Sequence, residues 1–359
     1  MYFCTQILKL YDMKRIALFV LAVVLLAGCG HGKKQAQLID AANFNKEVDG
    51  KPVSLYTLQN AQLTMQVTNY GGRVVALWAP DRKGNAGNVV FGYDHIDQYL
   101  NDTCDQYLGA VLGRCANRLA GGTITLDDVE YQLTKNEGEN TLNGGAQGTD
   151  RTVWDVVSAN DTTIVMHTVM PDGQDGFPGN LDITMTYTLT SDNALRVDYS
   201  ATTDKTTLCN LTHHQVFNLL GEGHPVLDHE LEIKGGWILP VDASMIPTGY
   251  FNAVKGTPND FNKPHAIGQS LNNLWIVTSN LSGNPVHCAM LSETTTGRQM
   301  EVLSNQMGLQ VITTANGIIL EPQKFPDAIH QELFSDKAIL RQGDTYNNIC
   351  IYKFSTFKK

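Results

Sequence analysis

The chain has 359 residues, with 26 lysines and arginines against 36 aspartates and glutamates, for a formal net charge of −10. That acidic balance argues against a nucleic-acid partner, since phosphate contacts need a basic surface. Charged residues make up only 17% of the chain and hydrophobic ones 42%, enough for a large core, and 32 glycines among many Thr, Val, Tyr and Asn residues favour strands and tight turns.

The N-terminal stretch reads as a processing signal. Lys14 and Arg15 precede an apolar run from Ile16 to Ala27, which is short for a permanent span. A basic start, an apolar middle and small residues at the cut are the plan of a secretory signal. The ending Leu26-Ala27-Gly28-Cys29 resembles a bacterial lipobox, so Cys29 is the expected lipidated first residue of an exported lipoprotein, held at a membrane by its N-terminal anchor on the periplasmic face or the cell surface. Residues 1–28 are then the signal peptide, with 1–12 an upstream extension before Met13, and residues 29–40 a tether. Beyond Cys4 and Cys29, five cysteines remain: Cys104, Cys115, Cys209, Cys288 and Cys350. Their odd number and irregular spacing fit neither a disulfide framework nor a metal knuckle, and they read as small buried hydrophobes.

From Asp40 onward, strand and turn alternate. Leu63, Met65 and Val67 lead through Asn69-Tyr70-Gly71-Gly72 to Val74, Ala76 and Trp78. Ile124 to Leu126 and Val129 to Leu133 read as a hairpin turning on Asp127-Asp128. Leu181 to Leu189 pairs with Leu195 to Tyr199 across Ser191-Asp192-Asn193. Further strands are expected at Ile164 to His167, Leu231 to Ile233, Trp237 to Pro240, Val286 to Leu291, Met300 to Leu303, Leu309 to Thr313 and Ile349 to Phe354. Long helical periodicity is missing outside the signal. The expected fold is all-β, a large antiparallel β-sandwich, with residues 41–359 as one domain lacking a linker or repeat.

Four stretches carry polar chemistry on otherwise apolar segments. Gly109 to Leu119 places Arg114 and Arg118 among small residues, and a covered arginine needs a partner for its fork. Asn140 to Gly145 is a polar turn. Asn210 to Leu219 sets His213 and His214 side by side in a strand-like run. Strand neighbours point to opposite faces, so only one can face a given pocket, which argues against a shared metal. Last, Gly317-Ile318-Ile319-Leu320-Glu321-Pro322 runs three apolar residues into a glutamate and a proline. Because proline cannot donate to a ladder, Glu321 is predicted to occupy the last rung of a buried strand, at the lip of the core, where a carboxylate can serve as a general base.

These stretches resemble the aldose 1-epimerase (galactose mutarotase) family. The likeness runs over nearly all of residues 50–355. It includes Gly113-Arg114-Cys115-Ala116-Asn117-Arg118-Leu119, Pro171 to Leu181, Asn210 to Leu219, Leu239-Pro240-Val241-Asp242, Gly256 to Phe261 and Leu320-Glu321-Pro322-Gln323-Lys324-Phe325-Pro326-Asp327-Ala328. The resemblance implies a β-supersandwich and a reaction needing no cofactor and no metal, in which a free aldohexose such as galactose or glucose exchanges its anomers. It makes Glu321 the base at the C1 hydroxyl and His214 the acid at the ring oxygen. Arg118 matches an arginine that contacts sugar hydroxyls, and Asn117 beside it, with Asn143 and Asn272, completes the expected substrate-binding set. Two positions depart from the family pattern. Asn143 stands where the family usually has histidine, and Asn272 is the counterpart of an aspartate. The loop before Glu321 is also shorter. These changes point to an altered sugar preference, or to a glycan-binding surface lipoprotein that kept the hollow without the chemistry.

Overall fold

The computed structural model describes residues 33–102, 105–277 and 283–357. The expected signal peptide, the expected lipidation site Cys29, and Cys104 lie outside the described residues. Residues Gln35–Lys359 form one compact unit. Among the described residues, three antiparallel sheets carry the architecture. In spatial order, the nine-stranded sheet runs Asp155–Ala159, Thr163–Met170, Leu181–Leu189, Ala194–Thr203, Tyr346–Thr356, Arg298–Ser304, Val286–Ser292, Glu230–Ile233 and His265–Ala266. The six-stranded sheet runs Val216–Phe217, Ile318–Gln323, Gly308–Thr313, Asn272–Ile276, Trp237–Leu239 and Asn252–Ala253. The four-stranded sheet runs Leu55–Gln59, Thr64–Thr68, Val74–Pro80 and Ala86–Asn88.

Period-two patterning explains the large sheet. Leu181, Ile183, Met185, Tyr187 and Leu189 are buried, while the residues between them are not. Its partner strand enters at Leu189↔Leu195, and Asn193 supplies the left-handed turn (φ 66°) that asparagine tolerates. The hairpin at Asp127-Asp128 forms as expected, with Val129 opposite Leu126 and both aspartates at positive φ (49° and 62°), the pattern of a two-residue type I′ turn. Met185, Tyr187, Val197 and Tyr352 of the nine-stranded sheet meet Met65, Val67 and Leu77 of the four-stranded one and Leu309, Val311, Ile318 and Leu320 of the six-stranded one in a single buried cluster. Each such side chain contributes about 1.5–3 kcal/mol by leaving water. The expected antiparallel β-sandwich is therefore the fold that forms.

The strand Ile318–Gln323 fixes the site. Ile318 and Leu320 face the main core, and Ile319 packs into a second cluster with Tyr70, Leu108 and Val216. With both faces covered, the apolar run is unbroken. One expectation needs correction. Glu321 is not the last rung, because Pro322 pairs with Leu309 and Gln323 with Gly308. The Pro322 carbonyl accepts the Thr212 hydroxyl at 2.9 Å, so the imide nitrogen faces that same side. There the short strand Val216–Phe217 pairs only with Ile319 and Ile318, and no ladder bond is lost. At the other end, Ile39 in the expected tether donates to the Gln66 side chain at 2.8 Å and accepts from it at 3.0 Å.

Candidate active site

Glu321 leaves the six-stranded sheet on the face away from the main core, opposite Gln310 of Gly308–Thr313. His214 sits between the strands Thr212–His213 and Val216–Phe217. Its backbone N–H donates to the Ala110 carbonyl and its carbonyl accepts from Gly109 N–H, both at 2.8 Å, which ties the histidine segment to the start of the arginine stretch. The two predicted reacting side chains meet. His214 Nδ1 lies 2.6 Å from Glu321 Oε1, with 14% and 4% of their side chains exposed. His214 Nε2 lies 3.8 Å from Asp105 Oδ1, and Tyr107 presents its ring edge-on at 6.3 Å. Burial pulls the His214 pKa down, but the charge and hydrogen bond of Glu321, with Asp105 behind, raise it above the ordinary 6.5.

His213 points the other way, as strand alternation requires. Its ring packs edge-on to Tyr352 at 5.3 Å, and its Nδ1 lies 3.2 Å from the Tyr199 hydroxyl. Burial, helped by the nearby His214, pushes its pKa down to about 3. Of the two neighbours, only His214 can hold a proton near neutral pH.

Beside the pair lies a hollow lined by Asn117, Arg118, Leu239, Asn272, Leu274 and Gln310, among others. Three of its lining amides form a relay. Asn117 Nδ2 donates to Gln310 Oε1 at 3.4 Å, and Gln310 Nε2 donates to Asn272 Oδ1 at 3.0 Å. Gln310 and Glu321, directly opposite on adjacent strands, hold their Cβ atoms roughly 5 Å apart, so the relay abuts the acid–base pair. Arg118 Nε and Nη2 donate to the two oxygens of Glu137 at 2.6 and 2.5 Å. Asn143 has a different place. Its Oδ1 accepts the Asn117 N–H at 2.7 Å and its own N–H donates to the Asn117 carbonyl at 2.9 Å, so it braces Asn117 (φ 65°) from behind. Among the described residues, no cluster of three or more His, Cys, Asp or Glu side chains is arranged to hold a metal.

Sequence reasoning missed Gln310, Asp105 and Glu137. Gln310 had a signal, a lone amide inside the apolar strand Leu309 to Ile312. Asp105 and Glu137 had none, because their relevance depends on which residues the chain brings opposite them.

The profile of the aldose 1-epimerase family matches residues 54–353. Galactose mutarotase from Bos taurus is 37% identical over 327 residues, covering 84% of this chain and 94% of that one. Aldose 1-epimerase from Escherichia coli K12 is 30% identical over 335 residues, covering 85% and 96%. Among solved structures, an aldose epimerase homologue from C. elegans superposes with a TM-score of 0.80 at 26% identity, covering 85% of this chain and all of that one. Galactose 1-epimerase from Lactobacillus acidophilus does so with a TM-score of 0.75 at 26% identity, covering 87% and 97%. Profile, relatives and fold agree: the chain belongs to the aldose 1-epimerase family.

Proposed function

We propose that the protein interconverts the α and β anomers of a free aldohexose such as galactose, with Glu321 as base and His214 as acid. The 2.6 Å contact between the two side chains carries the reading. The anomeric hydroxyl and the ring oxygen are bonded to the same carbon, so the donor and acceptor that serve them must be close neighbours. Glu321 takes the O1 proton. The O1 electrons form the aldehyde C=O as the C1–O5 bond breaks, and its electron pair goes to O5, which takes a proton from His214. Rotation about C1–C2 presents the other face. Closure reverses each step, returning the proton of O5 to His214 and that of Glu321 to O1. The raised pKa of His214 keeps the acid loaded near neutral pH, and a positioned acid–base pair contributes typically about 10²–10⁴-fold.

In this reading, Arg118 and the amides Asn117, Gln310 and Asn272 hold the sugar hydroxyls, while Asn143 supports Asn117. Polarimetry on freshly dissolved α-galactose tests the activity. The protein should accelerate the decay of rotation above the spontaneous rate, and an unchanged rate defeats the proposal. The Leu26-Ala27-Gly28-Cys29 ending supports a separate reading as an exported lipoprotein. Mass analysis of the mature N-terminus should find an acylated Cys29 in the native protein, and an unmodified, uncleaved terminus contradicts it.

A further inference from the structure

We infer that Glu137 sets the charge class of the substrate: by clasping Arg118 it reserves the hollow for neutral aldoses and turns away uronic acids and other anionic sugars. The inference rests on the anomer-exchange reading above and adds a specificity-determining residue to it.

Arg118 is the one cation among the described residues that line the hollow; its other polar neighbours there are the amides Asn117, Asn272, Asn273 and Gln310. A free guanidinium in such a place is a fork shaped for carboxylate or phosphate. Here the fork is already filled. Nε and Nη2 are both engaged by Glu137, at 2.6 and 2.5 Å, with the arginine side chain 19% exposed and the glutamate 36%. Half-exposed ion pairs add little stability, so the consequence of this one lies in what it presents to a ligand. The pair is neutral as a unit. It leaves guanidinium N–H groups on Nη1 to donate, since arginine carries five donors in all, and it leaves carboxylate lone pairs to accept. A neutral sugar with adjacent hydroxyls can use both kinds of group. A sugar carboxylate finds the bidentate edge taken and a negative charge beside it.

The surroundings point the same way. Glu137 lies on the adjoining rim with Glu139, Asn140 and Ser244. Glu321, cross-strand from Gln310 of the hollow, and Asp105 flank His214, so further carboxylates stand beside the place an anionic sugar would occupy.

The test compares galactose with galacturonate, which differ at C6 by a carboxylate and both exchange anomers. Exchange rates measured by polarimetry and by NMR give kcat/KM for the wild type, Glu137→Gln, and Glu137→Gln combined with Arg118→Gln. The readout is the ratio of the acid sugar to the neutral one, which a general loss of activity does not move. Removing one like charge in contact with the ligand while freeing a guanidinium should raise that ratio by about tenfold or more in Glu137→Gln. The double variant should lose the gain, and added salt should shrink it. A ratio unchanged in Glu137→Gln, with galactose still turned over, overturns the inference. If the wild type accelerates neither sugar, the anomer-exchange reading has failed on its own terms. Calorimetric titration of the same two sugars into the same three proteins then decides the charge inference separately: an anion preference gained in Glu137→Gln and lost in the double variant upholds it, and a preference identical in all three refutes it.

Discussion

Replacing Glu321 by glutamine perturbs the proposed chemistry at its centre while keeping the shape of the side chain. The amide oxygen can still accept from His214 Nδ1, now 2.6 Å from Oε1, but an amide cannot take up the O1 proton. A second loss follows from electrostatics. Burial lowers the His214 pKa, and the charge and hydrogen bond of Glu321 are the leading forces opposing it. With Glu321 neutral, only Asp105 at 3.8 Å remains on that side of the balance, so His214 loses its proton at a lower pH and the acid is weakened along with the base. Loss of a general base is worth about 10²–10⁴-fold, or about 3–5 kcal/mol of barrier. The assay is polarimetry on fresh α-galactose at pH 7, with circular dichroism to confirm that both proteins fold alike. A folded Glu321→Gln protein that loses less than about tenfold in kcat/KM refutes the assignment of the base, since a general base of even the weakest kind exceeds that.

Further outcomes are expected. Ring opening uses the protonated form of His214, so kcat/KM should fall as pH rises through a value above 6.5; in Glu321→Gln that limb should move to lower pH, and NMR titration of the His214 ring should move with it. The same raised pKa makes the proton a stabilising ligand of the fold, with its contribution complete below the ordinary 6.5 and lost as pH climbs through the folded value. Asp150 is 1% exposed and its carboxylate accepts no hydrogen bond from another residue; burial outweighs the attraction of Arg73 and Arg151 and raises its pKa from 3.8 to about 6. The stability it contributes when protonated is lost as pH rises through that interval, so Asp150→Asn should be more stable than wild type above pH 6, by about 1–3 kcal/mol, and the two should converge below pH 4 in chemical denaturation. Gln310→Ala cuts the amide relay at its middle and should raise KM for galactose about five- to thirtyfold, the worth of about 1–2 kcal/mol of hydrogen bonding, with a smaller change in kcat. Arg114→Met should destabilise the protein by about 3 kcal/mol or more, because its buried guanidinium donates to the carbonyls of Pro178, Gly179, Met170 and Pro171 and to the Thr207 hydroxyl, each of which loses that charged donor.

The parts that could be read from the chain are those governed by local rules. Period two places the strands of the large sheet, the Asp127-Asp128 turn places a hairpin, and alternation separates His213 from His214. Glu321 was conspicuous because a charge ended an apolar run. Pro322 misled, since proline disrupts a ladder only on the side where a partner strand continues, and the length of Val216–Phe217 is a tertiary fact. Glu137 and Arg118 are 19 positions apart, and Asp105 lies more than a hundred positions before its histidine. Pairings of this kind follow from how the sheets stack, which no local pattern encodes. Asn143 is expected at the sugar, yet it does not line the hollow, and its bonds to the Asn117 backbone depend on two left-handed residues facing each other.

The tandem imidazoles provide an internal standard. Two identical rings, attached to Cα atoms about 3.8 Å apart along the backbone, are driven in opposite directions, one to about 3 and the other above 6.5. A histidine titration in this segment at a pH above 6.5 therefore reports on His214 alone, and its neutral twin supplies the baseline within the same molecule.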